Sequence, residues 1–298
     1  MTLTMKPAAL PLDFTDAHWW PSLSASPQGQ SPSRQVRMLM STREPLGQSF
    51  DAHGHPPYDH FNLGDHVGDD PAVVWRHRQW LAELCDAQPV WLQQVHGHRV
   101  VRLAQRAGHL TVDGEMALPD VPIVADGSYT TEPGLICTAM VADCLPVLLA
   151  APQGRGVAAL HAGWRGLCGA GAEMAGQGVI EKGVAALCEA CACEPGDLLA
   201  WLGPCIGPQA FEVGADVLAG FGVSTAEGHP AFRAAPPVNG QPKWFAHLAW
   251  LGRQRLHELG VLQIDGGQWC TVSEPGRFFS FRRDGVTGRQ AACIWLVA

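Results

Sequence analysis

The sequence predicts one domain of the α+β (mixed α/β) class, built around a mixed sheet. Apolar runs with strand spacing and runs with helix spacing alternate irregularly along almost the whole chain. Several tight turns rich in glycine and proline separate these runs, and no segment repeats at a fixed period. These observations predict that a single fold covers nearly all of the chain.

The composition is that of a globular protein and argues against two classes of partner. The 298 residues include 20 basic and 28 acidic side chains, a formal charge of −8, which opposes the long-range attraction that a polyanion requires. We therefore expect no nucleic-acid partner. No apolar run approaches the ~20 residues of a membrane span, and the N-terminus lacks a secretory pattern, so we expect a cytoplasmic protein without a membrane partner. Ten cysteines are then expected to be reduced thiols or metal ligands.

The N-terminal part is predicted to contain a flexible loop, a strand and a long irregular stretch. Residues 22–34, "SLSASPQGQSPSR", are rich in Ser, Pro and Gln and predict a flexible loop at the end of an N-terminal segment, residues 1–34. The main part of the domain is expected at residues 35–298, and "VRMLMST", residues 36–42, reads as its first buried strand. Residues 44–71 are rich in Gly, Pro, Asp and His, and a loop of this length is usually functional.

A helix is predicted to begin at Pro71. Asp70 precedes it as an N-cap, and proline is favoured at the first helical position. Val74, Leu81 and Leu84 then fall on one face of the helix.

The remaining elements follow from hydrophobic spacing and turn residues. Strands are predicted on both sides of a turn at Gly97, and residues 105–124 are predicted to be mostly loop. Further buried strands are expected in "GLICTAMVADCLPVLLAA", "GVAALHAGW" and "LLAWLGPCIG". Helices are expected at residues 166–192 and 244–260. The C-terminal "RFFSFRRDGVTGRQAACIWLVA", residues 277–298, predicts a hairpin with "DGVTG" as its turn.

Three side chains with metal-binding chemistry stand at the ends of predicted strands. Cys144 and His161 belong to "VADCLPVLLAAPQGRGVAALHAGWRG", two apolar strands joined by a glycine-rich turn, and His96 precedes a glycine at the end of another strand. Zinc accepts thiolate sulfur and imidazole nitrogen, and a catalytic zinc typically has three protein ligands and one open position. The three residues are far apart in sequence, so spacing alone does not distinguish a zinc site from a small core cysteine and ordinary histidines.

Other groups have alternative interpretations. Cys144 is a candidate nucleophile with His161 as its base. Four arginines are candidates for binding an anion through their two-pronged guanidinium groups: Arg43, Arg165, Arg282 and Arg283. The cysteines of "CEACACE", Cys188, Cys191 and Cys193, lack a second pair at zinc-ribbon spacing, and we expect them to be structural. The histidines of residues 53–60, His53, His55 and His60, are expected to lie in a solvated loop.

Six ordered blocks resemble the signatures of a known bacterial family. They are "FNLGDHVGDDP", "WLQQVHG", "ADCLPVLL", "VAALHAGWRG", "WLGPCIGPQAFEVG" and "FFSFRRDGVTGRQAACIWL". The sequence is similar in these blocks to the laccase-domain family, also called multicopper polyphenol oxidase-like proteins or laccase-domain purine nucleoside phosphorylases. The resemblance implies one domain with layered α/β/β/α architecture and a zinc held by His96, Cys144 and His161. The hairpin would then be the floor of a metal pocket.

The resemblance also implies further site residues. Asp143 and Arg165 flank the metal ligands, and we expect the first to transfer protons or support the ligands and the second to hold an anion or oxyanion. Arg43 and Asn62, in the N-terminal blocks, are expected to contact substrate. Relatives usually carry a "GGVS"-like run after this arginine, whereas this chain has "STREPLGQSF" and a histidine-rich insertion. The substrate-facing loop therefore departs from the family pattern.

The family function implied is that of a cytosolic zinc enzyme acting on purine nucleosides. Phosphorolysis of adenosine, inosine or methylthioadenosine requires phosphate as a second substrate, and adenosine deamination requires an activated water and a proton shuttle, for which Asp143 is the candidate. We expect small-molecule partners and a monomer or weak homodimer.

Four alternatives remain from the sequence. A copper polyphenol oxidase is disfavoured because the chain has only two His-x-His pairs. A metal-free cysteine hydrolase or deamidase and an enzyme that edits peptidoglycan precursors are further possibilities. A zinc-stabilised binding module is disfavoured because structural zinc usually has four protein ligands.

Overall fold

The structure of the chain is a computed structural model that describes residues 35–43, 57–58, 60–118 and 121–297. The N-terminal segment and its predicted flexible loop lie outside the described residues, and so do His53 and His55.

The described residues form six α-helices and fifteen strands. The helices are α1 Pro71–Cys85, α2 Trp164–Cys168, α3 Val179–Cys191, α4 Ala215–Gly220, α5 Leu248–Glu258 and α6 Phe281–Asp284. The strands of the first half are β1 Gln35–Met40, β2 Gln88–Val90, β3 Val100–Arg106, β4 His109–Val112, β5 Glu115–Met116, β6 Gly127–Thr130 and β7 Leu135–Val141. Those of the second half are β8 Leu145–Ala150, β9 Val157–Ala162, β10 Leu199–Leu202, β11 Glu212–Val213, β12 Phe232–Val238, β13 Gln241–Ala246, β14 Gln263–Gly266 and β15 Gln290–Val297.

Two mixed sheets form the centre of the domain. The four-stranded sheet has the order β1-β15-β7-β2, and the eight-stranded sheet has the order β14-β10-β8-β9-β6-β3-β4-β5. Most neighbouring strands are antiparallel, but β2 pairs with β7, β3 with β6 and β10 with β14 in parallel. A smaller three-stranded sheet has the order β11-β13-β12.

The alternation of side chains along the strands shows how the layers stack. Leu148 of β8 packs in a core with Cys137 of β7, so the two large sheets lie face to face. Val147, on the opposite face of β8, packs with residues of α3 and α5. Residues of α1, such as Leu81, pack on the outer face of β7 and β15. The predicted layered α/β/β/α arrangement is confirmed.

Several predicted elements are confirmed in detail. Asp70 caps α1, since its carboxylate accepts a hydrogen bond from the backbone nitrogen of Ala72, and Pro71 opens the helix. Val74 and Leu81 are buried on its inner face, whereas Leu84 is half-buried. The hairpin of β8 and β9 is present with antiparallel register. The two strands around Gly97 are present too, but β2 lies in the four-stranded sheet and β3 in the eight-stranded one.

Other predictions were wrong. The C-terminal segment is not a hairpin, because its first half forms α6 and β15 pairs instead with the distant strands β1 and β7. The single helix predicted at 166–192 is broken between α2 and α3, where Gly169, Gly171 and Gly176 have positive φ angles. The stretch predicted as loop contains β4 and β5, and α5 begins at Leu248 because the residues before it complete β13.

Within the described ranges, no helix has both the length and the apolar character that crossing a membrane requires.

Candidate metal centre

The hairpin of β8 and β9 brings Cys144 and His161 together. Leu145 pairs with Ala162 and Pro146 with His161 in the antiparallel register, so Cys144, just before β8, lies beside the end of β9. His161 is buried and Cys144 is half-buried. Both side chains therefore reach the same end of the hairpin from strands whose other residues are fixed in the core.

The third residue, His96, comes from the loop between β2 and β3. This residue has a φ of 60°, a left-handed conformation that is uncommon for residues other than glycine. Asp126 holds the loop, because one carboxylate oxygen accepts from the backbone nitrogen of His96 at 2.8 Å and the other from that of Gly97 at 2.7 Å. The exposed His96 ring is thus placed over the hairpin.

The geometry of the three residues fits a metal ion. Their ligand atoms lie within 4.8 Å of one another, and Cys144 Sγ is 3.6 Å from His96 Nε2. Zinc–sulfur and zinc–nitrogen bonds in a tetrahedron place such atoms about 3.6 Å apart. A Cβ on Gly163 would lie 2.5 Å from His96 Cδ2 and 3.2 Å from Cys144 Sγ, so only glycine fits beside the group.

The charges at the centre favour the deprotonated cysteine. Burial raises the pKa of the Cys144 thiol, but His161 and His96 outweigh it and lower that pKa to about 6. Burial lowers the pKa of His161, whereas Cys144 and Asp126 raise it to about 9. Without a metal these shifts describe a thiolate beside an imidazolium, and a metal ion bound by both residues would displace the imidazolium proton.

Asp126 also orients the His161 ring. Its carboxylate accepts a hydrogen bond from His161 Nδ1 at 2.9 Å, which leaves Nε2 for the side of the ring that faces Cys144. Burial raises the pKa of Asp126, but hydrogen bonds from His161 and the loop backbone keep it below its usual value. Histidine ligands are commonly held by a carboxylate in this way.

The centre opens into a cavity of about 350 Å³. Its walls include the apolar residues Ile206, Phe211 and Leu248, the exposed Phe281, and polar groups from several loops. The complete lining is His66, Gln94, His96, Met140, Val141, Ala142, Asp143, Cys144, His161, Trp164, Ile206, Phe211, Leu248, Phe281, Arg282 and Arg289.

Asp143 lies in this lining, beside Cys144, and its carboxylate is held by three hydrogen bonds. It accepts from the Thr271 hydroxyl at 2.5 Å, the Ser280 hydroxyl at 2.7 Å and the backbone nitrogen of Arg282 at 2.6 Å. Its φ of 102° shows a constrained backbone. The structure thus fixes Asp143 at the cavity wall. Its role in proton transfer or in support of the metal ligands stays a prediction.

Neither of the two residues predicted to contact substrate is among the described residues that line the cavity, although Asn62 contacts Arg289, which is. Asn62 is buried, and its side-chain oxygen accepts from the backbone nitrogens of Gly64 and Arg289, both at 2.8 Å. Arg43 lies with its guanidinium 5.3 Å from the ring centre of Phe279, and 3.9 Å from Asp284. Substrate contact by Asn62 and Arg43 stays a prediction.

Arg165 is exposed on α2, with its guanidinium 4.5 Å from the ring centre of Trp164. Trp164 lines the cavity, but Arg165 is not among the described residues that do. An oxyanion contact by Arg165 also stays a prediction.

Sequence reasoning missed two residues of this site, Asp126 and Arg289. Arg289 lies within the block "FFSFRRDGVTGRQAACIWL", so the motif itself offered a signal, while Asp126, in "VADGSYT", stands outside the six blocks. The contacts of Asp126 with His161 and with the loop of His96 can be recognised only in the folded structure. The cysteines at 188, 191 and 193 lie in the last turn of α3 or just after it, away from the cavity lining.

The fold and the site together define a mixed α/β protein with a candidate metal centre of two histidines and one cysteine. The chain belongs to the family described as multi-copper polyphenol oxidoreductase laccase, whose family model matches residues 38–297. The resemblance seen in the six blocks is confirmed by this match.

Curated relatives carry the name of a nucleoside enzyme. A Shigella flexneri protein named purine nucleoside phosphorylase YfiH is 45% identical over 244 residues, which cover 81% of this chain and 88% of that protein. A Pseudomonas aeruginosa protein, also named purine nucleoside phosphorylase, is 41% identical over 272 residues, or 91% of this chain and 97% of that protein.

Solved structures share the fold. A crystal structure of a Neisseria meningitidis protein has a TM-score of 0.71 at 36% identity and covers 88% of this chain and 95% of its own. The crystal structure of YlmD from Geobacillus stearothermophilus has a TM-score of 0.72 at 26% identity and covers 93% of this chain and 100% of its own.

Proposed function

We propose that this chain is a zinc-dependent purine nucleoside phosphorylase. The observation that carries the proposal is the meeting of His96, Cys144 and His161 at a cavity of about 350 Å³, within the range of small-molecule sites. Relatives named purine nucleoside phosphorylases support the substrate class. The mixed sulfur and nitrogen ligand set suits zinc, and within the described residues these three form the one group of three or more that could hold a metal ion.

Phosphorolysis exchanges one bond at the ribose. A phosphate oxygen forms a bond to C1′ while the bond from C1′ to the purine nitrogen breaks, and the base leaves with the electron pair and takes up a proton. The apolar walls at Ile206, Phe211 and Leu248 suit a purine. Bound zinc would supply a positive charge that stabilises developing negative charge.

The finer assignments belong to the same proposal. We include adenosine deamination, with Asp143 as the proton shuttle, because Asp143 lies at the cavity wall beside Cys144. Adenosine, inosine and methylthioadenosine are the proposed phosphorolysis substrates, and Arg43, Asn62 and Arg165 are proposed to support their binding or the oxyanion. A cytoplasmic location is supported by all ten cysteines being free thiols. A monomer or weak homodimer remains our expectation.

Product analysis tests the proposal. Purified protein should be colourless, contain about one zinc per chain, and release free base and ribose 1-phosphate from a nucleoside only when phosphate is added. Conversion of adenosine to inosine without phosphate tests the deamination. Cys144→Ala should abolish both reactions, whereas Cys188→Ala, a matched change on α3 outside the cavity lining, should not. Base release that is independent of phosphate would contradict phosphorolysis.

A metal-free cysteine hydrolase or deamidase is the second candidate. It is favoured by the 3.6 Å separation of Cys144 Sγ and His96 Nε2 and by the lowered pKa of the thiol. The two candidates predict opposite behaviour towards an alkylating reagent. If Cys144 binds zinc, the metal-loaded protein resists alkylation at this residue and the chelated protein does not. If Cys144 is a nucleophile, alkylation inactivates the untreated protein and chelators change nothing.

A further inference from the structure

Arg289 is a cation that the fold aims into the cavity. It lies between α6 and β15, is half-buried, and lines the cavity together with His96 and Cys144. Its Nη1 donates to the carbonyl oxygens of Thr287 at 3.1 Å and Gly288 at 3.0 Å. The guanidinium is therefore fixed by its own chain on one side only.

The stem of Arg289 is held as well. Its backbone nitrogen donates to the side-chain oxygen of the buried Asn62 at 2.8 Å. A Cβ on Gly64 would lie 2.7 Å from Cγ of Arg289. The aliphatic part of the Arg289 side chain therefore fits only because residue 64 is a glycine. An arginine held at both ends has already lost most of the conformational freedom that binding would otherwise cost.

No carboxylate among the described residues makes an ion pair with Arg289, and within that part of the chain its Nε and Nη2 donate no hydrogen bond. Burial lowers the pKa of the guanidinium, while the nearby charges of Cys144 and Asp143 act in the opposite direction. A half-buried cation without an ion-pair partner has lost part of its hydration without a charge that compensates for the loss. An anionic ligand that enters the cavity would supply that partner.

A second cation lines the same cavity. Arg282 donates from Nη1 to the carbonyl oxygen of Glu212 at 2.9 Å, and its guanidinium lies 5.5 Å from the ring centre of Phe211. Two arginines in one cavity match the several oxygens of a phosphate, because each guanidinium can contact two of them.

We propose that Arg289 forms the phosphate subsite of this cavity, with Arg282 as the second cation. The proposal rests on the proposed function, because phosphate is a substrate only if the chain performs phosphorolysis. The ligand is a phosphate group, carried either by inorganic phosphate or by the 5′-phosphate of a purine nucleotide.

Steady-state kinetics test the subsite first. Arg289→Gln should raise the KM for phosphate by about 10- to 100-fold, the loss of a charge-assisted hydrogen bond, and leave the KM for nucleoside nearly unchanged. Arg289→Lys should show a similar defect because the two-pronged contact is lost. The control is Arg155→Gln, since Arg155 also donates to two carbonyl oxygens but lies before β9, at the end of that strand opposite His161.

A second variant keeps Arg289 and moves its side chain, so that a defect caused by misfolding of Arg289→Gln is not mistaken for loss of the subsite. Gly64→Ala places a methyl group against the Arg289 stem, so it should displace the guanidinium and raise the KM for phosphate without removing a charge. Unchanged KM for phosphate in both Arg289→Gln and Gly64→Ala, with nucleosides still phosphorolysed, would overturn the subsite and leave the function intact.

Direct binding separates the two proposals. Line broadening of inorganic phosphate in ³¹P NMR, measured on metal-loaded protein without nucleoside, should disappear in Arg289→Gln and persist in Arg155→Gln. If the broadening disappears only in Arg289→Gln while no nucleoside is cleaved by the wild-type protein, the subsite stands and the phosphorylase function fails. Adenosine 5′-monophosphate is added in a second series. Displacement of phosphate by the nucleotide identifies a nucleotide phosphate as a ligand of the subsite, and failure to displace restricts the subsite to the free ion. Equal broadening in all variants would overturn the subsite.

Discussion

At the scale of single residues, Asp126 organises the candidate centre without being one of the three candidate ligands. Its buried carboxylate accepts a hydrogen bond from His161 Nδ1 and from the backbone nitrogens of Val95, His96 and Gly97. All four partners are N–H donors. One side chain therefore fixes both the ring of one histidine and the loop that carries the other.

Replacement of Asp126 by asparagine should weaken metal binding while keeping the side-chain volume. The asparagine side chain can accept hydrogen bonds only through its oxygen. Its NH₂ group would replace the other carboxylate oxygen and would face N–H donors that it cannot accept from. If one of those donors is His161 Nδ1, the histidine must move its proton to Nε2, which then cannot bind a metal ion. We expect a loss of metal affinity of about 10- to 100-fold, measured by competition with a coloured chelator.

The matched control is Asp113→Asn. Asp113 is an exposed carboxylate that also accepts from a backbone nitrogen, that of Arg102, and from a side chain, that of Arg99. It should retain wild-type affinity. Equal affinity in Asp126→Asn, with an unchanged circular dichroism spectrum, would show that Asp126 does not position the ligands.

The residues of the centre differ in how far the sequence predicts them. His96, Cys144 and His161 have side chains whose chemistry is recognisable without a structure, and they stand at strand ends that hydrophobic spacing locates. Asp126 matters through contacts such as that with His96, 30 positions away, and Arg289 through its contact with Asn62, 227 positions away. No local pattern encodes such a contact.

At the scale of elements, the turn from β9 into α2 is a tight fit around the centre. Gly163 is the N-cap of α2, with ordinary φ and ψ angles, so an alanine here would not strain the backbone. Its added Cβ would instead meet His96 Cδ2 at 2.5 Å and Cys144 Sγ at 3.2 Å. The glycine is needed for space and not for its conformational freedom.

Gly163→Ala should therefore leave the fold intact and disturb the metal site. We expect reduced metal content in the purified variant and a thermal unfolding temperature close to that of metal-free wild type. Gly196→Ala serves as the control, because its Cβ would make only an ordinary contact of 3.6 Å with the carbonyl oxygen of Gly260. Full metal content in Gly163→Ala would mean that the ligands are less closely packed than the structure shows.

Elements with local signals were predicted well, and elements with distant partners were not. The N-cap and first proline of α1 lie side by side in the sequence, and β8 and β9 are joined by a short turn. By contrast, β15 pairs with β1 and β7, more than 140 positions earlier, so its sequence alone favoured a local hairpin. The glycines between α2 and α3 break a helix that composition alone would continue.

At the scale of the whole molecule, two of the three candidate ligands lie where the chain passes between the large sheets. His96 follows β2 of the four-stranded sheet and precedes β3 of the eight-stranded sheet. Cys144 lies between β7 of the first sheet and β8 of the second. His161 lies near the end of β9, inside the eight-stranded sheet. The segments β2–β3 and β7–β8 are therefore two crossovers between the sheets. A metal ion bound by His96, Cys144 and His161 would join both crossovers to the end of β9.

Removal of the metal should therefore lower the stability of the whole domain and not only of one loop. A ligand present at about 100 times its dissociation constant stabilises the folded state by about 2.7 kcal/mol. For a chain of 298 residues such a change corresponds to roughly 4–5 °C in Tm. We expect a drop of that order after chelation, measured by calorimetry, and its recovery when zinc is added back.

The variant Cys144→Ala makes this prediction specific. Without the thiolate the centre should hold metal too weakly to matter, so chelation should no longer change the Tm of the variant. If the wild-type Tm is also insensitive to chelation although metal is shown to leave, the ion does not join the two crossovers, because binding that favours the folded state must raise its stability. Cys144 lies 48 positions after His96 in the chain, and His161 lies 65 positions after it. Only the folded domain brings three such distant residues together, so an ion held by all three cannot remain bound when the two sheets separate.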